Sequence, residues 1–176
     1  MSHLTRRQKT AIPLVFLGII VAFISYEVFN KASYSYEPLI MKGWLDEKIP
    51  VVSIFIVPYL SFHVLAALVV PLLSLRIGSF KAFLVNGISI IAGQICLDVA
   101  YAFFQTQVPR TPVVYGNDQP LNGFPSNHVT WSVISIIALW RLRDKAPKTS
   151  WLLMSWFVLI LPATVFLHQH YLIDIY

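Results

Sequence analysis

Five stretches of mostly apolar residues, separated by short polar segments, set the pattern along the chain. They cover residues 11–29, 51–75, 82–104, 129–140 and 151–167. A helix that crosses a bilayer needs about 20 mostly apolar residues. The stretch 129–140 is short and must extend toward its N-terminal side to span. The pattern therefore predicts an all-α, polytopic membrane helical bundle with five spans, the first of them an uncleaved anchor, in one domain over residues 1–176.

A further apolar stretch begins near the end of the chain, at residues 171–176. Six residues cannot cross a bilayer, which needs about 20. The end of the chain is therefore either a short interfacial segment or the start of a sixth helix that is missing or truncated at the C-terminus, and we expect the second.

The composition supports a membrane protein and excludes several other classes. Hydrophobic residues make up 57% of the chain and charged residues only 12%, about half the usual ~25% of a soluble domain. Disordered chains are poor in apolar residues, and the single cysteine, Cys96, excludes a disulfide scaffold. The oligomeric state stays open.

The basic residues predict how the bundle is oriented. The net charge is +5, which in a soluble protein would raise nucleic acid as a partner. Here nine of the 13 Lys and Arg residues precede the first span or follow the second and fourth. Cytoplasmic loops collect Lys and Arg, so we expect a cell-membrane protein with a cytoplasmic N-terminus and no nucleic-acid partner. Residues 30–50, 105–127 and 168–174 then face outward.

Candidate catalytic residues lie on this outward side. His128, His168 and His170 lie at the outer ends of the fourth and fifth spans, and Asp174 follows His170 by four residues. On a helix this spacing brings two side chains to one face. A carboxylate there accepts one imidazole N–H and leaves the other nitrogen as a nucleophile or base. Taken alone, such a pair more often only satisfies its own hydrogen bonds.

An anion site is predicted close by. Ser126 and Asn127 are residue types that favour the N-cap of a helix, and a helix start binds anions through its free N–H groups. Arg110 is the only arginine in the outward loops. Together with the histidines and the carboxylate, these residues indicate chemistry on a phosphate group.

The motifs resemble those of the type 2 phosphatidic acid phosphatase superfamily, which includes lipid phosphate phosphatases, bacterial acid phosphatases and vanadium haloperoxidases. Pro125-Ser126-Asn127-His128 resembles its second motif, and His170-Tyr171-Leu172-Ile173-Asp174 its third. Val108-Pro109-Arg110-Thr111-Pro112 stands where the first motif ends. The resemblance runs from about residue 82 to 176, and it implies a six-helix fold with an outer-face site.

Four positions depart from the family pattern. Phe103 and Thr111 replace a lysine and a proline of the first motif, and Ala163-Thr164 replaces the Ser-Arg that opens the third. Two usual phosphate-binding cations are thus absent. The variant resembles a branch that includes inositol phosphorylceramide synthases and many short bacterial homologues.

The resemblance implies a role for each motif residue and requires no metal or other cofactor. His170 attacks phosphorus, Asp174 holds its ring, and His128 protonates the leaving group and then activates the acceptor. The phosphate-binding residues are Arg110, Ser126 and Asn127.

Three further residues are candidate substrate contacts, namely Asp98, His168 and Thr164. Asp98 belongs to a polar stripe in the third span with Gln94, Tyr101 and Gln105, and an intramembrane carboxylate suggests function. The alternative is a structural hydrogen bond, for example to His63. The alternative for His168 is a polar residue at the membrane interface.

These expectations converge on an integral-membrane lipid phosphate phosphatase. It would hydrolyse a phosphomonoester or diphosphate lipid through a phosphohistidine intermediate, with the lipid phosphate and the bilayer as its partners. One alternative is a phosphotransferase that moves a phospho-headgroup to a lipid or polyol alcohol. The other is a non-catalytic membrane protein that retains the fold.

Overall fold

A computed structural model describes residues 4–31, 37–108 and 123–175, and these residues are mostly helical. The α-helices are α1 (Arg6–Lys31), α2 (Ile56–Val64), α3 (Val70–Arg76), α4 (Phe80–Phe103), α5 (Asn127–Leu142) and α6 (Pro147–Phe166). Two short strands, β1 (Leu39–Ile40) and β2 (Thr106–Gln107), pair in parallel. The predicted all-α fold class is confirmed.

Within the described residues, four helical stretches are long and apolar enough to cross a membrane. They are Arg6–Phe29, Ser53–Arg76, Phe80–Phe103 and Pro147–Phe166. The fifth helix, α5, has 16 residues, which is about 24 Å against a hydrocarbon core of about 30 Å. It extends the stretch 129–140 by two residues at each end, so the expected fifth span stays a prediction. The apolar residues near the C-terminus form a short 3₁₀ helix, Leu172–Ile175.

The second spanning stretch is not a uniform α-helix. A 3₁₀ turn (Ser53–Phe55) leads into α2, and a π-helical turn (Leu65–Val69) joins α2 to α3. Pro71 explains the π turn, because proline has no N–H and its ring would clash with the carbonyl four residues earlier. Such turns are frequent at functional sites, and this one directly follows Phe62 and His63.

Helix α4 lies at the centre of the bundle. It packs against α1, α3 and α5, while α6 packs against α5 and α2. Gly87 of α4 allows the close approach of α1, because a β-carbon there would collide with the Val15 side chain. Small residues serve this purpose in membrane helix pairs. Large apolar side chains such as Leu17 and Leu152 point outward and are 55% and 69% exposed, as lipid-facing side chains are.

Candidate functional site

The turn after α6 positions His170. His168 has a φ of 52°, a left-handed conformation that ends the helix. The N–H of Gln169 donates to the carbonyl of Thr164 over 2.9 Å, and the N–H of His168 donates to that of Val165 over 2.8 Å. This is the Schellman pattern of helix termination. The spacing argument assumed that His170 and Asp174 share a helix, whereas the left-handed residue places them in a turn and a following 3₁₀ helix.

His170 and Asp174 nevertheless meet. His170 Nδ1 lies 3.2 Å from Asp174 Oδ2, and the backbone N–H of Tyr171 donates to the same oxygen over 2.9 Å. The backbone N–H of His170 donates to Thr164 O over 3.1 Å. Since an ionised carboxylate only accepts, this arrangement favours the tautomer with the proton on Nδ1. Nε2 then carries the free electron pair.

The start of α5 faces this nitrogen. Ser126 is the N-cap residue, as predicted, and its Oγ accepts from the N–H of Val129 over 3.4 Å. The same Oγ lies 3.2 Å from His170 Nε2, so the hydroxyl donates to that nitrogen in the tautomer given above. Both amide atoms of Asn127 are buried and have no hydrogen-bond partner among the residues described.

Two hydrogen bonds tie the residues just before this helix to the last turn of α4 and to β2. The hydroxyl of Tyr101 donates to the carbonyl of Pro125 over 2.8 Å, and the N–H of Phe124 donates to Thr106 Oγ1 over 2.8 Å. Tyr101 is fully buried. The polar stripe of α4 therefore contributes to the site through Tyr101, whose hydroxyl holds the residue before the N-cap of α5.

His128 joins the other histidine from the first turn of α5. Its ring centroid lies 6.1 Å from that of His170, and both residues are buried. Tyr59 of α2 stacks on the His128 ring at 4.1 Å with an interplanar angle of 16°, and Phe62 lies 4.3 Å away. Residues from α2, α5 and the turn after α6 thus converge at one end of the bundle.

Comparisons with known proteins address this same part of the chain. The family model of the PAP2 superfamily matches residues 107–176. Residues 107–176, which we call the PAP2 segment, are thus similar to this superfamily. The match spans both histidines, Ser126 and Asp174, and it confirms the resemblance at the level of the superfamily, while the finer branch stays a prediction. Neither the comparison with curated proteins nor that with solved structures gave a match.

Two candidate substrate contacts of the PAP2 segment hold the turn. Thr164 is fully buried; its hydroxyl donates to Leu161 O over 2.7 Å, and its carbonyl accepts the two N–H groups named above. His168 Nε2 lies 2.9 Å from the carbonyl oxygen of Ile49. Both residues position His170, and their contact with substrate stays a prediction.

Asp98 lies in α4, before the PAP2 segment. Its hydrogen-bond partner is Gln94 and not His63, the alternative considered from the sequence. Its Oδ1 accepts a hydrogen bond from Gln94 Nε2, one turn earlier, over 2.7 Å. The alternative bond to His63 is wrong, because His63 points into an aromatic cluster that includes Phe23 and Trp131. Among the described residues Asp98 has no hydrogen bond to either site histidine, and its contact with substrate is still a prediction.

The sequence did not predict that His63 lies near His128. Its ring centroid lies 5.7 Å from that of His128, and its Nε2 is buried without a hydrogen-bond partner in the described part of the chain. The sequence carried no signal for this proximity, because 65 residues separate the two histidines.

Residues 109–112 of the first motif, which include Arg110, lie outside the described residues. The contact of Arg110 with phosphate therefore stays a prediction. In the part of the chain that is described, no three His, Cys, Asp or Glu side chains are grouped to hold a metal ion.

A cavity of about 170 Å³ opens beside His170, and one of its lining side chains, Lys42, is basic. Its lining includes Lys42, Glu47, His170 and Tyr171. Lys42 Nζ lies 2.9 Å from Glu47 Oε1. The hydrogen bond to Glu47 and the charge of Glu47 raise the pKa of Lys42, and burial raises the pKa of the Tyr171 phenol. The cavity therefore presents an ammonium group and a neutral phenol at neutral pH.

Asp46 fixes the loop that carries Lys42. Its Oδ2 accepts from the N–H of Gly43 over 2.7 Å and its Oδ1 from the N–H of Leu172 over 2.8 Å. The loop is thereby bonded to the 3₁₀ helix that contains Asp174. In the sequence, Lys42 was only one charge of an outward loop, and no motif marked it.

Proposed function

We propose that the protein is a multi-pass membrane phosphatase that hydrolyses a phosphomonoester or diphosphate lipid through a phosphohistidine. The observation that carries this proposal is the hydrogen-bonded series Ser126 Oγ, His170 and Asp174, with both contacts at 3.2 Å and the His128 ring 6.1 Å away. The PAP2 match over residues 107–176 supports the same class of reaction.

The first step of the proposed reaction is displacement of the lipid alcohol. The electron pair of His170 Nε2 attacks phosphorus, so a P–N bond forms as the P–O bond to the lipid breaks. His128 gives a proton to the departing oxygen. The hydroxyl of Ser126 turns from Nε2 to an equatorial phosphate oxygen, and Asp174 stabilises the charge that develops on the His170 ring.

The second step releases phosphate. A water molecule attacks phosphorus and gives its proton to His128, which is now a base. The P–N bond breaks, and its electrons return to Nε2. His128 and Asp174 end the cycle in the states in which they began it.

The phosphate charge requires donors in fixed positions, which usually contribute the largest share of such catalysis. Ser126, the Asn127 amide and the N–H groups at the start of the 16-residue helix α5 would fill part of this role, and Arg110 another part. We further propose that Lys42 replaces one of the two cations missing from the motifs. Its support is the shared cavity with His170, in which Lys42 would exchange Glu47 for a phosphate oxygen.

The proposed location is the cell membrane, with the N-terminus in the cytoplasm and the site on the outer face. Arg6, Arg7 and Lys9 at the start of α1 support this orientation by the positive-inside rule. Lys81 lies at the same end of the bundle as the start of α1, because α1 and α4 run in the same direction, with Gly87 beside Val15 and Ile91 beside Gly18. Arg141, in the last turn of α5, lines a cavity with Lys81 and so lies at that end too.

The test is phosphate release from a panel of lipid phosphates by the purified protein in detergent. We expect turnover on at least one lipid, and losses of about three orders of magnitude or more in His170→Ala and His128→Ala. Lys148→Gln, at the start of α6, is the control for expression and folding. The wild-type protein, incubated with a lipid labelled in its phosphate and quenched in alkali, should retain the label, whereas His170→Ala should not. This result would support the phosphohistidine.

Two outcomes would contradict the proposal. Loss of phosphate release on adding an alcohol, with transfer of the phospho-headgroup to it, would indicate the phosphotransferase. No turnover on any lipid, with or without alcohols, would indicate a non-catalytic protein that retains the fold.

A further inference from the structure

A second cavity, of about 630 Å³, lies between α4 and α5 far from the two histidines. Its lining includes Lys81 in the first turn of α4 and Arg141 in the last turn of α5. Tyr101, which contacts the histidine site, is 20 residues further along α4, or about 30 Å. The cavity thus lies at the opposite end of the bundle.

One wall of this cavity carries an unsatisfied polar group. Asn86 is 1% exposed, and neither its Nδ2 nor its Oδ1 has a hydrogen-bond partner among the described residues. An amide buried without partners costs free energy. A ligand with oxygen atoms at this depth would supply the missing hydrogen bonds.

The mouth of the cavity is positively charged. In the described ranges, neither Lys81 nor Arg141 forms an ion pair, whereas nearby Arg143 pairs with Asp144 at 3.8 Å. The N-cap residue of the 24-residue helix α4, Ser79, also lines the cavity and makes no side-chain capping bond. The positive end of the α4 dipole therefore adds to two unpaired cations.

The remaining wall is apolar. Val85 of α4 and Ile134 and Ile137 of α5 line it, and Val85 and Ile137 are 40% and 49% exposed. A ligand that fits must combine an anionic group, oxygen atoms about 7 Å deeper by the helical rise from Lys81 to Asn86, and an apolar part beyond them.

We propose that this cavity binds one anionic phospholipid. Its phosphate lies between Lys81 and Arg141, its ester oxygens bond to the Asn86 amide, and its acyl chains follow the apolar wall. Basic pockets between membrane helices bind anionic headgroups in this way. The headgroup of a zwitterionic lipid carries a positive charge, which Lys81 and Arg141 would repel. The site is independent of the reaction proposed above.

The test is native mass spectrometry of the full chain released from nanodiscs that contain phosphatidylcholine with a minor share of phosphatidylglycerol. We expect one phosphatidylglycerol to be retained by the wild-type protein. Each cation near a membrane surface contributes roughly a factor of five to lipid affinity, so Lys81→Gln with Arg141→Gln should weaken retention about thirtyfold. Asn86→Leu tests the deeper contact and should also reduce retention.

The matched control is Lys145→Gln with Lys148→Gln, which removes the same charge from residues outside the cavity lining and should leave retention unchanged. Three results would overturn the proposal: equal retention of phosphatidylcholine, equal loss in the control, or displacement of the lipid by millimolar inorganic phosphate, which would indicate a site for the free ion. Lipid phosphatase activity is not the readout, so failure of the proposed function leaves this test intact.

Discussion

The two ring nitrogens of His170 have different partners, and this difference matters most for its chemistry. Nδ1 faces Asp174 Oδ2 and Nε2 faces Ser126 Oγ, each at 3.2 Å. A carboxylate that holds the proton on Nδ1 leaves Nε2 as the nucleophilic atom. Asp174 itself is held by the Tyr171 N–H, so its carboxylate keeps its position beside Nδ1.

Replacing Asp174 by Asn tests this assignment. The amide can donate to Nδ1 and would then favour the tautomer with the proton on Nε2, which cannot attack phosphorus. We expect kcat to fall about 10³- to 10⁴-fold, the size of the effect when the orienting carboxylate of a catalytic histidine is replaced in this way. Steady-state phosphate release measures it, with thermal unfolding to show an intact fold. A loss below tenfold would mean that Asp174 is only structural.

Lys42 provides a second test at the same site. Lys42→Gln removes the ammonium from the cavity that His170 also lines. It should lower kcat/KM by about tenfold to a hundredfold, the range for one charged donor on phosphate. Glu47→Gln, which frees Lys42 from its partner, should not lower it. Because Glu47 raises the pKa of Lys42, the ammonium stays charged as the pH rises from neutral. The effect of Lys42→Gln should therefore be the same across neutral and mildly alkaline pH, and a pH-dependent effect would contradict the assignment.

The short elements around the site depend on the turn that ends α6. His168 holds the left-handed conformation with a φ of 52° and reaches back to the carbonyl of Ile49. Asn adopts this conformation more readily than other non-glycine residues. The turn is therefore sensitive both to the backbone preference at position 168 and to the imidazole.

Two substitutions at position 168 separate the contribution of the backbone conformation from that of the imidazole hydrogen bond. His168→Ala loses the bond to Ile49 and places an unsuited residue in the left-handed region, so we expect a loss of about 2 kcal/mol in the free energy of unfolding. His168→Asn loses the bond alone and should cost about 1 kcal/mol. Denaturation in detergent, followed by circular dichroism, measures both. Equal losses would show that the backbone conformation contributes little.

The orientation of the whole bundle decides which face of the membrane holds the site. In a Cys96→Ser background, Leu45→Cys should react with a membrane-impermeant maleimide in intact cells. Thr10→Cys should react only after permeabilisation, because the basic N-terminal end is expected to stay in the cytoplasm. Both positions are exposed. The reverse labelling pattern would place the histidines in the cytoplasm and contradict the proposed orientation.

The sequence by itself determined the class of fold, the approximate positions of the helices and the N-cap at Ser126. It also predicted that His170 pairs with Asp174, but on a helix rather than across a turn. These features depend on local quantities, namely the length of apolar runs, the capping preference of short polar side chains and the reach of residues four apart. The tertiary structure alone decided that Tyr59 and His63 approach His128, that Lys42 shares a cavity with His170, and that His63 points into an aromatic cluster rather than to Asp98. Contacts between residues far apart in the chain follow from how the helices rotate and pack against one another, and an apolar pattern without a distinct polar face leaves that rotation open.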